Sequence, residues 1–261
     1  MKVSGRHSSQ GILARRIAAV AGALGLLAGS PVAASPDALP DAPGQVESMA
    51  LETFGGYPVG GFPRAWKVRG SMRDAQAIYR IGEEAGGGRF LMARTNRQSV
   101  MIGLERPFDP SRHPYLRWRW RVRQWPTGAD ERRKATNDSA AGVYVIFPGR
   151  FIAPRVLKYV WSTTAPVGTR QPSPAASSTK IIVLDSGATA EPAWRTVTVN
   201  VQRDYAALFG EPAPAARGIG ILTDGNETAS VAAADYADFQ LLSVNVEPPD
   251  TALTHVGPDP P

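Results

Sequence analysis

The chain contains no cysteine and only three histidines, His7, His113 and His255. The first absence excludes disulfides, thiolate metal ligands, cysteine nucleophiles and thiol redox chemistry. The second excludes a multi-histidine metal centre. A Ser-His-Asp triad would have to use His113, in the loop SRHPY, where a plain loop histidine beside a proline is the simpler reading. A phosphate-cradling loop is also missing, because GEEAGGGRF carries neither the Lys-Ser/Thr signature nor a following helix. No apolar run reaches the ~20 residues of a comfortable membrane span.

The longest such run, IAAVAGALGLLAG from Ile17 to Gly29, has the form of a secretory signal. Lys2, Arg6, Arg15 and Arg16 precede it, SPVAAS follows it, and Val32 and Ala34 supply the small-residue cleavage pattern. Residues 1–34 are therefore expected to be a signal peptide, which predicts a periplasmic or secreted protein with no transmembrane anchor after cleavage. No cysteine follows the run to accept a lipid. The Arg15-Arg16 pair admits twin-arginine export, although the IAAV behind it matches that signal poorly. Without this segment the formal charge of +6 falls to near balance, with 25 basic and 23 acidic residues. The basic excess belongs to the leader and gives no reason to expect a nucleic-acid partner.

Residues 35–46, SPDALPDAPGQV, read as a linker, and 247–261 as a Pro-rich disordered tail. Between them, 47–246 form one domain without internal repeats. Turn signals separate short β-patterned runs at 65–73, 75–82, 88–95, 99–106, 115–123, 141–147, 155–162, 179–185, 194–201, 218–224 and 234–244. One helix is expected at Val201–Gly210, where Tyr205, Leu208 and Phe209 share a face and Gly210 with Pro212 ends it. The predicted fold is all-β: an antiparallel β-sandwich of jelly-roll (galactose-binding-like) type with one short helix.

The run YLRWRWRVR alternates strictly. Leu116, Trp118, Trp120 and Val122 fall on one face, and Tyr115, Arg117, Arg119, Arg121 and Arg123 on the other. The Trp face is assigned to the core. The Arg face must be solvated, paired with carboxylates or turned to a ligand. In RVLKYVWS, Leu157, Tyr159 and Trp161 share one face, and Val156, Lys158 and Val160 the other. Tyr159 and Trp161 are core aromatics or a platform for a sugar ring.

Taken in order, the blocks YLRWRWRV, NDSAAGVYVIF, LKYVWS, KIIVLDSG, VQRDYAALFG, GIGILTDGNETAS and ADYADFQL resemble the bacterial exported family known as domain of unknown function 3047, over roughly residues 50–244. The family pattern GDDYAARVYVVF appears here as NDSAAGVYVIF, which keeps Asp138 but has Asn137 for its acidic neighbour. The pattern TDTDNT appears as TDGNETAS, which keeps Asp224 and replaces the second acid by Gly225-Asn226, with Glu227 beyond. The resemblance implies an exported β-sandwich and no particular activity. The ending ADYADFQL is also similar to the last strand of jelly-roll carbohydrate-binding modules, where an acid lies near a structural calcium.

Three readings of function follow. The first is a module binding carbohydrate or an anionic envelope glycan through Arg117, Arg119, Arg121, Tyr159 and Trp161. The second is an enzyme acting on polysaccharide, with Asp138 and Asp224 as paired carboxylates at strand ends. The third is a structural envelope protein. No cofactor is required. Calcium is the candidate ion, with oxygen ligands from Asp224, Asn226 and Glu227, against the plainer reading of an Asp-Gly turn.

Overall fold

The computed structural model describes residues 47–149 and 153–244. The expected signal peptide, linker and tail lie outside them. The elements in chain order are β1 (Ser48–Glu52), β2 (Trp66–Arg69), α1 (Met72–Ile78), β3 (Tyr79–Glu83), β4 (Arg89–Asn96), β5 (Met101–Leu104), β6 (Tyr115–Gln124), β7 (Ala141–Phe147), β8 (Arg155–Ser162), β9 (Arg170–Pro172), β10 (Thr179–Ser186), β11 (Arg195–Asn200), α2 (Val201–Phe209), β12 (Gly218–Leu222) and β13 (Val231–Leu242).

They build two sheets packed face to face as a jelly-roll-type β-sandwich. One sheet runs β11-β6-β13-β4-β3 with β1 also paired to β13, and the other runs β2-β5-β12-β7-β8-β10-β9. All pairings are antiparallel except β8 with β10, which the short β9 crossover makes parallel. Helix α2 stands where the pattern placed it, capped by the Asn200 side chain on Arg203 N at 2.8 Å and closed by Gly210 in the left-handed region.

A second helix corrects the strand expected from residue 75. Ser71 accepts a hydrogen bond from Asp74 N at 3.2 Å, and Ala75 and Ile78, one turn apart, are both buried. A Ser cap followed by i, i+3 apolar spacing starts a helix, and only Tyr79–Glu83 continues as strand.

The core lies between the sheets. From β6 come Trp118 and Trp120, with ring centroids 5.3 Å apart and edge to face. From β8 come Tyr159, 5.9 Å from Trp118, and Trp161, 6.0 Å from Trp120. All four are buried, as the alternation of β6 requires for its Trp face.

Candidate functional site

The outer face of the six-stranded sheet carries the arginine stripe, and neighbouring strands cover it. Register sets Asp235 of β13 opposite Arg121. Its buried carboxylate accepts from Nε of both Arg121 and Arg123 at 2.6 Å. Arg119 donates to Asp238 at 2.6 Å and to Glu84 at 2.9 Å. Asp238 reaches it from a bulge in β13, with φ of 53°. Trp194 lies under the Arg119 and Arg121 guanidinium groups at 4.7 and 4.3 Å. Arg117 donates to Thr198 Oγ1 at 3.1 Å. The stripe is thus largely satisfied from within. Asp235→Ala, which strands two guanidinium groups, is expected to lower unfolding free energy by about 1.5–3 kcal/mol in a urea titration, less at high salt.

Tyr159 and Trp161 offer no sugar platform here. The Tyr159 hydroxyl donates to Asp204 at 3.1 Å inside the fold, and the Trp161 indole donates to the Gly187 carbonyl at 3.1 Å. Their faces are spent on the core, so a surface uniting them with Arg117, Arg119 and Arg121 does not form: the two sets project from different sheets. His113 stands 3.8 Å from Glu47, away from the cavities described next.

The outer face of the seven-stranded sheet is different. Register aligns Lys67, Gly103, Gly220, Tyr144 and Lys158 across β2, β5, β12, β7 and β8. The two glycines face each other, and a Cβ at Gly103 would meet nothing closer than 3.6 Å. Two missing side chains between Lys67 and Tyr144 leave a depression. Cavities of about 620, 260 and 240 Å³ adjoin along it. The first two share Lys67, Gly103 and Ile146, and the last two share Tyr144 and Thr179. Together they form a trough across the sheet.

The 240 Å³ end carries the chemistry. Asn137, Tyr144, Lys158, Ser173, Asp224 and Glu227 are among its lining residues. Lys158 is only 3% exposed, its ammonium 5.7 Å from the centre of the Tyr144 ring. No hydrogen bond or ion pair among the described residues satisfies that ammonium, and it lines the cavity. The amide oxygen of Asn137 is likewise buried without a partner. Burial pushes the Asp224 carboxyl up to about 7. The Lys158 charge and the Ser139 N–H oppose that rise, and the Asp138 and Glu131 charges add to it. One Asp224 oxygen accepts from Ser139 N at 2.6 Å. Burial, with the Asp224 and Glu131 charges, raises the Tyr144 phenol well above its ordinary range.

Asp138 and Asp224 are brought together, but in unlike roles. Asp138 is fully buried and accepts from Glu227 N at 3.2 Å and from Thr228 N and Oγ1 at 2.7 and 2.6 Å. It clamps the 224–230 loop and has no oxygen to spare for a substrate. The loop is also tied by Ser230 N on Gly225 O at 2.9 Å. A Cβ at Gly225 would sit 2.4 Å from the Ser230 carbonyl, which accounts for the glycine. The residues expected to hold calcium, Asp224, Asn226 and Glu227, all line this cavity, and the Asn226 amide nitrogen donates to Glu227 at 2.9 Å.

Lys158, Asn137 and Tyr144 are not among the site residues the sequence reading names. The available signal was a single lysine between Val156 and Val160 in an otherwise apolar strand. Glu131 was missed as well. It is fully buried, with one oxygen accepting from Ser162 Oγ and the other unpartnered.

A family model described as Protein of unknown function (DUF3047) matches residues 64–240. No curated protein matches the sequence. Among solved structures, the chain is similar to the Trichoderma harzianum endoglucanase 3 from family GH12, at 9% identity and a TM-score of 0.35, covering 78% of this chain and 100% of that one. It is similar to a thermostable cellulase (MT Cel12A) derived from Cel12A of Rhodothermus marinus, at 11% identity and a TM-score of 0.31, covering 76% and 99%. It is also similar to the Emp47p carbohydrate recognition domain, at 10% identity and a TM-score of 0.26, covering 70% and 89%.

Proposed function

We propose, for a chain that belongs to the family described as Protein of unknown function (DUF3047), that the trough on the seven-stranded sheet binds an acidic saccharide chain with a carboxylate seated on Lys158. One observation carries the reading: the Lys158 ammonium, buried with no direct hydrogen bond or ion pair, opens on a cavity it shares with the Asp224 carboxyl. Holding such a charge costs free energy unless an anion reaches it. A bound carboxylate offsets that cost through a charge-assisted hydrogen bond. The elongated form suits a polymer rather than a compact molecule. Lys67, Arg69 and Arg217 along it, against Glu105, tilt the rest of the trough toward anionic ligands.

On this reading the protein works in the cell envelope or outside the cell, where the leader at 1–34 would send it. Among the described residues no helix is long and apolar enough to cross a membrane.

Calorimetric titration of the full chain with oligouronides and with their carboxyl-reduced counterparts checks the proposal. The acidic ligands should bind and the reduced ones should lose at least about tenfold in affinity, a loss that Lys158→Met reproduces. Gly103→Leu, which fills the floor without altering charge, should also abolish binding. Equal affinity for acidic and reduced ligands, or a Lys158→Met variant that binds like the parent, would sink the reading.

A further inference from the structure

We infer that the Lys158–Asp224 end of the trough cleaves its ligand, a 4-linked uronate polymer, by β-elimination, with Asp224 moving the proton and Lys158 holding the carboxylate. This rests on the binding reading above and adds a reaction to it.

The geometry separates elimination from hydrolysis. Hydrolysis of a glycosidic bond needs two carboxylates on opposite sides of the bond. This cavity does not supply them. Asp138 has both oxygens engaged by the 224–230 loop. Glu227 lines the cavity from the same short loop as Asp224. On the far side of Lys158 in strand order, the wall is Ser173, Ala175, Ala176 and Thr179, with no acid among them. Elimination needs one proton-transfer group and one group that neutralises a carboxylate, and Asp224 and Lys158 line the same cavity in those two capacities.

The C5 proton of a uronate is α to its carboxylate, and it becomes removable once that carboxylate is neutralised. Lys158, which makes no direct hydrogen bond or ion pair, takes the carboxylate and stabilises the negative charge that develops on it. The Asn137 side chain, which lines the same cavity, bonds a neighbouring hydroxyl and fixes the ring. The ionised Asp224 carboxylate takes the C5 proton. The C4–C5 double bond forms as the C4–O bond breaks, and the departing oxygen receives the proton from Asp224. Asp224 ends as it began. The products are a 4,5-unsaturated uronide and a shortened chain with a new reducing end, and no water, metal or oxidant is consumed.

An ordinary carboxylate is a weak base for a carbon acid. Burial of Asp224, only partly offset by the Lys158 charge, raises its basicity into the neutral range, where a proton-transfer residue is most effective.

The test is to mix the full chain with polygalacturonate, with alginate and with each polymer after carboxyl reduction, following both the ultraviolet absorbance of the unsaturated product and the appearance of reducing ends. The inference expects the two signals to rise together on at least one acidic polymer and neither to rise on the reduced polymers. Asp224→Asn should cut the rate by about 100- to 10,000-fold while oligouronide binding persists. This isosteric change removes a buried charge and should not unfold the protein, which its melting curve checks. Lys158→Met should lose binding and rate together. Reducing ends without the chromophore would replace elimination by hydrolysis. Binding without either product, or an Asp224→Asn variant as fast as the parent, would overturn catalysis and leave the binding reading standing. Absence of oligouronide binding would remove both.

Discussion

Asp224→Asn is expected to stabilise the folded protein above neutral pH, by an amount on the order of 2–4 kcal/mol, and to flatten its stability-against-pH curve. Burial raises the folded-state carboxyl from 3.8 to about 7. Between those values the folded chain holds a proton that the unfolded chain has released. Stability contributed by this group is therefore complete below pH ~4, declines as pH rises, and is gone above ~7, where a buried carboxylate must be kept charged. Asparagine keeps the shape and removes the titration. Urea midpoints of parent and variant should coincide near pH 4 and separate steadily toward pH 8. Parallel curves across that range would mean that Asp224 is ionised throughout and that its environment is far more polar than its burial suggests. A group that destabilises the fold in its working protonation state is what a functional residue, rather than a packing residue, is expected to look like.

Trp118→Ala should be the most damaging single change in the core, costing about 3–5 kcal/mol. The side chain is fully buried between the sheets and touches three other rings: Trp120, Tyr159 and Phe239, the last stacked at 6.4 Å with an interplanar angle of 11°. Removing it opens a cavity at the centre of the sandwich, where both sheets are rigid and collapse is hindered. Against a total stability of about 5–15 kcal/mol, the variant should accumulate poorly and melt early. Trp118→Phe provides the contrast. The indole nitrogen has no hydrogen-bond partner, so phenylalanine forfeits volume but no polar contact, and a loss nearer 1–2 kcal/mol is expected. If both variants lose the same amount, the indole nitrogen is bonded to an internal water and its satisfaction matters as much as packing.

The Trp118 result depends on a feature that could be read directly from the letters. Alternation over YLRWRWRVR assigns the two tryptophans to the core because only one face of a strand can be dry. Strands β7 and β8 run over the expected residues, 141–147 and 155–162, for the same reason. The helix at Met72–Ile78 was less accessible, since Ala-Gln-Ala-Ile fits a short strand until the Ser71 cap is noticed. The partners of the arginines were not legible at all. Asp235 meets Arg121 and Arg123 only through the β13–β6 register, and Asp238 reaches Arg119 only through a bulge. Register is a long-range property that a one-strand pattern does not contain.

The candidate site was half legible. Asp224 was singled out at a strand end, and Asp138 with it. Their division of labour depends on backbone amides at Glu227 and Thr228, which no residue type announces. Lys158 was placed on the correct face, but whether that face meets water, another layer or a cavity is decided by the 173–179 segment and by glycines two and three strands away. Alternation tells which way a side chain points and is silent about what stands there.

The opening between Lys67 and Tyr144 is bounded by a hydrogen atom at 103 and another at 220, on strands whose opposite faces belong to the core. The width of the recess can therefore be reset by single substitutions at these two positions while the hydrogen-bond ladder beneath stays intact. Ligand preference and fold stability become separately adjustable: a graded series of Ala, Ser and Val at 103 would act as a ruler for the sugar ring that lies over it.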